Sequence, residues 1–324
     1  MRAVAVLTAA VLVVSGCTAE ADRMAVPRPD PDPHPVVTET QAEAVLAEVD
    51  RALAAGIGKQ DVKKFGPRVT GPYRTIAKAR FLAEKRRKTK AGKAPVVSDV
   101  RWMVTRQKEW PRFFFAAGKS SAAEVPVLRV MLSEGAREPY ALWSELSMVP
   151  GATMPTTVPV TVGADPVPAD AEGLLMTPTS ALAKYAKVLT VGPNAKEADF
   201  FGAYEFRGQI AERLIDDRKA LKSVVKKITD RHVADPKSIL ALRTSDGGAL
   251  VVGVIEQTYV ITLKTDAGKI TPHGSFAGLT TRTSFTKKLT RTSLEVVALS
   301  VPKTGGGVVR LIAAQKADVK LVGS

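Results

Sequence analysis

Hydrophobic positions recur at helical spacing in the first folded part of the chain. Between Thr38 and Ala55 the apolar side chains fall on one stripe, formed by Ala42, Val45, Leu46, Val49 and Leu53. The pattern predicts a helix over Thr38–Ala55 that ends at Gly56. Thr40 is the predicted N-cap, and Glu43 completes a capping box three residues later. A second helix is predicted to begin at Pro72, since proline is tolerated in the first turn.

The hydrophobic period then changes from helical to alternating. Four strands are predicted, separated by turn clusters: Val97–Arg106, Arg112–Ala117, Val125–Ser133 and Tyr140–Val149. Five prolines lie between Pro150 and Gly173, which predicts an inter-domain linker. Thr157–Val162 is the one part of this linker that could form an edge strand.

The second half repeats this order. Helices are predicted over Thr179–Thr190 and Phe206–Thr229, the latter with Ile210, Leu214, Leu221, Val225 and Ile228 at helical spacing. The strands predicted after them are Ser238–Thr244, Ala249–Thr265, Lys269–Phe285, Leu294–Val301 and Val308–Ala314. The fold class predicted is α+β, with two tandem domains, each with helices packed on an antiparallel β-meander. Their predicted limits are 38–150 and 173–324, joined by a linker over 151–172.

The N-terminal residues have the pattern of a bacterial lipoprotein signal. An apolar run from Ala3 to Val14 follows Arg2, and Ser15 and Gly16 precede Cys17, the only cysteine. The run is too short to span a bilayer, which needs roughly 20 apolar residues. We expect residues 1–16 to be cleaved and Cys17 to receive a diacylglycerol that anchors the chain to the outer face of the plasma membrane. The alternative is an ordinary secretory signal with a chance cysteine near the cut.

Prolines at alternate positions from Pro27 to Pro35 follow this signal. They disfavour both helix and sheet, which predicts an extended polyproline-like tether over 17–37. At ~3.1 Å per residue the tether spans up to ~60 Å. Because Cys17 has no second cysteine to pair with, no disulfide is expected, and 45 % hydrophobic residues must supply the core.

The net charge of +15 favours anionic partners. Anionic lipids, acidic wall polymers and an envelope protein are the candidates outside the membrane, where nucleic acid is a poor one. If the charge is functional, basic residues are expected on one face: Lys85, Arg86, Arg87, Lys88, Arg218, Lys222, Lys226 and Lys227. The alternative is a surface whose charge only keeps the chain soluble.

Catalytic motifs are weak throughout the sequence. Ser223-Val224-Val225-Lys226, Ser245-Asp246-Gly247 and Lys303-Thr304-Gly305 resemble a serine-enzyme set only in outline, with too little chain between them. His232 and His273 lie in different predicted elements with no thiol near, which argues against zinc. The sequence therefore predicts a non-enzymatic binding module with no catalytic residue, cofactor or metal site.

Two alternatives remain open. Glu256, Tyr259 and His273 could face a cavity as acid–base groups of an enzyme, or an apolar ligand could be carried between helices and sheet.

The lipoprotein signal, the run Thr244–Leu250 and the sequence Val301-Pro302-Lys303 carry a resemblance. The chain resembles a family of actinobacterial surface lipoproteins of unknown function, from which only Cys17, as lipid attachment site, can be carried over. The order of helices and meander is similar to the cone-shaped α+β fold of cystatin and nuclear-transport-factor relatives. That fold serves enzymes, binders and scaffolds alike, so it implies no function.

Overall fold

Helix α1 spans Glu39–Lys59 and begins with a capping box. The Thr38 hydroxyl accepts a hydrogen bond from the Gln41 backbone N–H, and the Gln41 side chain accepts one from the Thr38 N–H. The predicted cap at Thr40 is therefore wrong, because Thr38 already satisfies the first turn. The predicted end at Gly56 is also wrong. Gly56 lies inside the helix, where an added Cβ would be 2.2 Å from the Phe65 ring, so this glycine permits close packing.

The computed structural model describes residues 32–202, 216, 219, 222–266 and 268–324. Its other helices are α2 (Gly71–Arg86), α3 (Pro178–Val191) and the short α4 (Gly274–Leu279), with 3₁₀ segments at Val62–Arg68 and Ala198–Phe200. Both α2 and α3 carry proline in the first turn, as the sequence predicts for α2.

Eight strands form one antiparallel sheet. They are β1 (Val97–Val104), β2 (Arg112–Ser120), β3 (Val127–Ser133), β4 (Ala141–Met148), β5 (Val225–Arg243), β6 (Ala249–Leu263), β7 (Lys288–Val301) and β8 (Arg310–Gly323). The strand order is β1-β2-β3-β4-β8-β7-β6-β5. The two halves of the sheet meet at β4 and β8, which pair only at Ser147 with Ala314 and at Met148 with Ala313. The mixed α+β class is confirmed.

The core has three main layers of apolar packing. Helices α1 and α2 cover one face of β1–β4, where Phe114, Met131 and Leu142 are fully buried. The opposite face of β1–β4 and one face of β5–β8 share a second cluster, so the two halves of the sheet face each other. Helix α3 covers the remaining face of β5–β8. Because successive side chains of a strand point to opposite faces of the sheet, each central strand contributes residues to two of these three clusters.

Residues Pro33–Ser324 form one compact unit, and of the unit before it only Asp32 is described. Two tandem domains are therefore not confirmed. The predicted linker forms no edge strand over residues 157–162, and it makes backbone hydrogen bonds to both halves. Ala164 N–H donates to Val104 O and Val167 N–H to Ala241 O, so this segment is part of the folded unit.

Two predicted elements of the second half differ in the structure. The predicted strand Lys269–Phe285 is wrong, because this stretch contains α4. The predicted helix Phe206–Thr229 lies largely outside the described residues, with Ile210, Leu214 and Leu221. Its last part is wrong, since β5 begins at Val225 and pairs with β6 at Leu263.

Candidate functional site

The predicted lipid attachment residue, Cys17, lies outside the described residues. Its lipidation therefore stays a prediction. Within the described part of the chain, no helix combines the length and apolarity needed to cross a membrane. The last residues of the predicted tether contact the folded unit, because Val36 N–H donates to Thr105 O and Val37 is buried.

The three residues considered as acid–base groups are not brought together. Tyr259 is buried and His273 is exposed, and both line one cavity. Glu256 is exposed and lies three positions from Tyr259 on an unbroken stretch of β6, so it points to the other face of the sheet. The arrangement does not form an acid–base triad.

A buried polar cluster occupies one face of β5–β8, beyond the end of α3. Paired positions in the sheet bring its members together: Asp230, His232, Gln257, Arg291, Ser293, Glu295, Lys316 and Asp318. Sequence reasoning missed this cluster. The sequence does place Arg291, Ser293 and Glu295 at alternate positions of one strand. The same alternation is typical of a strand face that is exposed to solvent, so it does not predict a buried cluster.

His232 is the centre of this polar cluster, and its side chain is fully buried. Its Nε2 lies 3.4 Å from Glu295 Oε1 and its Nδ1 lies 3.9 Å from Asp230 Oδ1. The Thr190 hydroxyl at the end of α3 accepts a hydrogen bond from the His232 backbone N–H at 2.8 Å. The histidine therefore links α3 to strands β5 and β7.

Glu295 is fully buried between His232 and Lys316. Lys316 Nζ donates to Glu295 Oε1 at 2.5 Å. Burial alone would raise the pKa of Glu295, but the adjacent His232 imidazole and the Lys316 ammonium outweigh it and hold that pKa below its usual value. The carboxylate is thus ionised and compensated inside the sheet.

Two further pairs complete the polar cluster. Gln257 Nε2 donates to both carboxylate oxygens of Asp230, at 2.8 and 2.9 Å. The Ser293 hydroxyl donates to Asp318 Oδ1 at 2.6 Å. Four atoms of the cluster are buried with no hydrogen-bond partner among the described residues: His232 Nε2, Gln257 Oε1, Arg291 Nε and Glu295 Oε2. Such atoms are uncommon in folded interiors and concentrate here.

A cavity of about 260 Å³ adjoins the polar cluster, between α4 and strands β6–β8. We call it the α4 cavity. Most of its lining is apolar, from Ile261, Ile270, Pro272, Phe276, Leu289 and Leu321. Its lining cation is Arg291, whose guanidinium carbon lies 4.6 Å from the centre of the Tyr259 ring and 5.5 Å from that of Phe276. Apolar walls with a few oriented polar groups are also the usual lining of small-molecule sites, and the α4 cavity lies just below their usual size range.

Exposed basic side chains surround the same end of β5–β8. We call the group the basic end, and it consists of Lys222, Lys226, Lys227, Lys264, Lys269, Arg282, Lys287 and Lys288. Asp266 is the only acidic residue in residues 222–227, 264–270 and 280–288. The basic run at the end of α2 contacts α4 beside this region, since Arg86 Nη1 donates to Gly278 O at 3.1 Å. Arg218, which the sequence also placed here, lies outside the described residues.

A second buried charge lies in the first half, under α1. The Arg129 side chain has no exposed surface and contacts Asp50 Oδ1 at 2.6 Å and Glu145 Oε2 at 2.7 Å. Its third hydrogen bond goes to Pro95 O at 3.1 Å. Burial alone would lower the pKa of Arg129, but the Glu145 and Asp50 carboxylates raise it. Each nitrogen of this guanidinium donates a hydrogen bond, which indicates a structural role.

The run Thr244–Leu250, which carries the family resemblance, forms the β5–β6 turn over residues 244–248 and the first two residues of β6. Asp246 Oδ1 accepts hydrogen bonds from the Thr244 hydroxyl at 2.5 Å and from the Gly248 N–H at 3.0 Å. These bonds, with the Thr244 hydroxyl first, lower the pKa of Asp246. The motif thus fixes the β5–β6 hairpin turn.

Fold and site together define an α+β protein with one bent antiparallel sheet, a buried polar cluster and an adjoining cavity. The chain belongs to the family described as "Domain of unknown function (DUF8094)", whose model matches residues 33–320. The match begins where the compact unit begins, so Cys17 lies outside it. Neither the curated proteins nor the solved structures give a significant match.

Proposed function

We propose that the protein is a non-enzymatic lipoprotein, anchored by Cys17 to the outer face of the plasma membrane, that binds an anionic component of the cell envelope. The lipoprotein signal and the single cysteine support the anchor. Helices precede a four-stranded meander twice, as α1 and α2 before β1–β4 and as α3 before β5–β8. This repeated order supports, as part of the proposal, two similarly built halves whose strands share one sheet.

The observation that carries the binding proposal is the basic end. Its eight exposed cations and one acidic residue come from three chain segments that the sheet brings together. A basic residue near an anionic surface contributes roughly 1 kcal/mol, so several of them acting together suffice for measurable binding. Such binding is screened over about 8 Å at physiological ionic strength.

The anchor is tested by labelling cells with a fatty-acid probe. Cys17→Ala should abolish labelling and release the protein from the membrane or leave it unprocessed. As a matched control, Ser121→Cys in the same variant restores a thiol on the exposed β2–β3 turn without restoring the signal. Labelling that persists in Cys17→Ala would contradict the anchor.

The binding is tested by co-sedimentation of the unlipidated chain that begins at Thr18, which lacks the apolar run of the signal, with vesicles that contain phosphatidylglycerol. We expect binding at low salt, loss of binding as salt rises, and weaker binding after Lys226→Glu and Lys227→Glu. The control reverses the exposed Lys237 and Lys303, which lie outside the basic end. Binding to an acidic wall polymer but not to vesicles would identify the polymer as partner. Binding to neither at low salt would refute the proposal.

A further inference from the structure

Arg291 has hydrogen-bonding capacity that the fold does not use. Only 8 % of its side chain is exposed, and its guanidinium makes no hydrogen bond with any described residue. Its nearest carboxylate oxygen, Asp318 Oδ1, lies 3.4 Å from Nε and already accepts the Ser293 hydroxyl. The Asp318 carboxylate thus compensates the charge of Arg291 without forming a hydrogen bond to it, so the guanidinium keeps donor capacity for an acceptor from outside the chain.

Two aromatic rings hold this guanidinium at the α4 cavity. Tyr259 lies beside Arg291 in the paired register of β6 and β7, and Phe276 approaches from α4. Cation–π contacts orient the planar group and exclude water from it. A planar guanidinium held in this way suits the two oxygens of a carboxylate, which it can bind through parallel hydrogen bonds.

The other residues that line the α4 cavity determine which chemical group the carboxylate of the ligand can carry. A volume of about 260 Å³ equals that of roughly nine water molecules at ~30 Å³ each, which suits a small organic ligand, and the cavity walls are mostly aliphatic or aromatic. Because Arg291 is the only Lys or Arg among the lining residues that the structure describes, one negative charge is matched. The lysines of the basic end favour the approach of anions to this part of the surface.

We propose that the α4 cavity binds a small organic monoanion, with its carboxylate on Arg291 and a short apolar body between α4 and the sheet. This site is separate from the polymer- or lipid-binding surface of the proposed function. This proposal differs from the alternative of an apolar-ligand carrier, because the charge of Arg291 selects an anionic ligand.

The test compares hexanoate with its neutral isostere hexanamide, titrated calorimetrically into the Cys17→Ala chain at an ionic strength of about 0.15 M. Hexanoate should bind with a Kd at least about tenfold lower, the lower bound for a hydrogen bond to a charged group. Arg291→Gln should remove this preference. Arg310→Gln, which changes an exposed arginine of β8 outside the basic end, should leave the preference intact.

A second variant keeps the test decisive if Arg291→Gln fails to fold. Ile270→Trp fills the α4 cavity from its half-buried edge and should abolish binding of both probes. The control is Ile76→Trp, because Ile76 is a half-buried residue of α2 that lines a different cavity. This substitution should leave the binding of both probes unchanged. Equal affinity for the two probes, no saturable binding of hexanoate, or hexanoate binding that survives Ile270→Trp would overturn the proposal.

The two proposals fail separately in these assays. Lys226→Glu with Lys227→Glu should weaken vesicle binding and leave the preference for hexanoate over hexanamide intact. Loss of that preference in this variant would place the anion on the basic end and overturn the α4 site.

Discussion

Replacing Arg129 by methionine removes the cation that lies between Asp50 of α1 and Glu145 of the sheet. The variant keeps most of the length of the side chain, so the change is chiefly one of charge and hydrogen bonding. It leaves the carboxylates of Asp50 and Glu145, whose side chains are only 22 % and 15 % exposed, facing each other without a counter-charge. It also leaves Pro95 O without the arginine donor.

The magnitude follows from this geometry. Removing one partner from a buried ion pair costs about 3–5 kcal/mol. Because both carboxylates retain some contact with water, we expect the lower part of that range, about 3–4 kcal/mol. For a chain of this size each kcal/mol lowers the Tm by roughly 2–4 °C, so a fall of about 6–16 °C is expected.

The assay is urea unfolding followed by circular dichroism, with the free energy of unfolding extrapolated to water. Arg231→Met is the matched control, since Arg231 also lies in a strand but is exposed, and it should change stability by no more than about 0.5 kcal/mol. Equal effects of the two substitutions would refute the reasoning. Adding Asp50→Leu and Glu145→Leu to Arg129→Met should recover most of the loss, because the uncompensated charges are then gone.

Glu295→Gln should lower the free energy of unfolding at neutral pH by about 2–4 kcal/mol, and the exposed Glu256→Gln should not. Since the folded pKa of Glu295 lies below its unfolded value of about 4.3, its contribution is present above that pH and is lost as pH falls through the folded pKa. Urea unfolding across this range should show a shallower acid loss for Glu295→Gln, and an unchanged profile would contradict the assignment. Gly278→Val should cost about 1–3 kcal/mol, since its Cβ would lie 2.6 Å from Ala83 of α2, whereas Gly135→Val meets no neighbour. Equal thermal stability of these two glycine variants would show that α4 does not pack as described.

The sequence predicts those elements whose pattern is local. The stripe of α1, Leu46, Val49 and Leu53 among its members, is buried as the helical period requires. The β1–β4 meander is likewise predicted within a few residues at each end. Val225 and Ile228 fit either a helix or a strand, and only pairing with the distant β6 decides for the strand.

The polar cluster could not be predicted, because burial there depends on partners far apart in the chain. Glu295 is an unremarkable strand carboxylate until His232 and Lys316 lie beside it. The α4 cavity depends in the same way on a helix that packs on α2 through Gly278, a contact with no local pattern. Of the three acid–base candidates, Tyr259 and His273 share this cavity, but strand alternation separates Glu256 from them.

The two residue pairs that join β4 to β8 determine what happens when the chain is cut into its two halves, β1–β4 and β5–β8 with their helices. A gene fragment ending within residues 150–173 would leave β4 as an open edge and expose the apolar face that β1–β4 shares with β5–β8. Open edges with apolar faces are prone to self-association. Each half produced alone is therefore expected to aggregate, and mixing the two halves during refolding should restore soluble material. Proteolytic nicking between residues 150 and 173 should likewise leave two fragments that stay associated until denaturant is added.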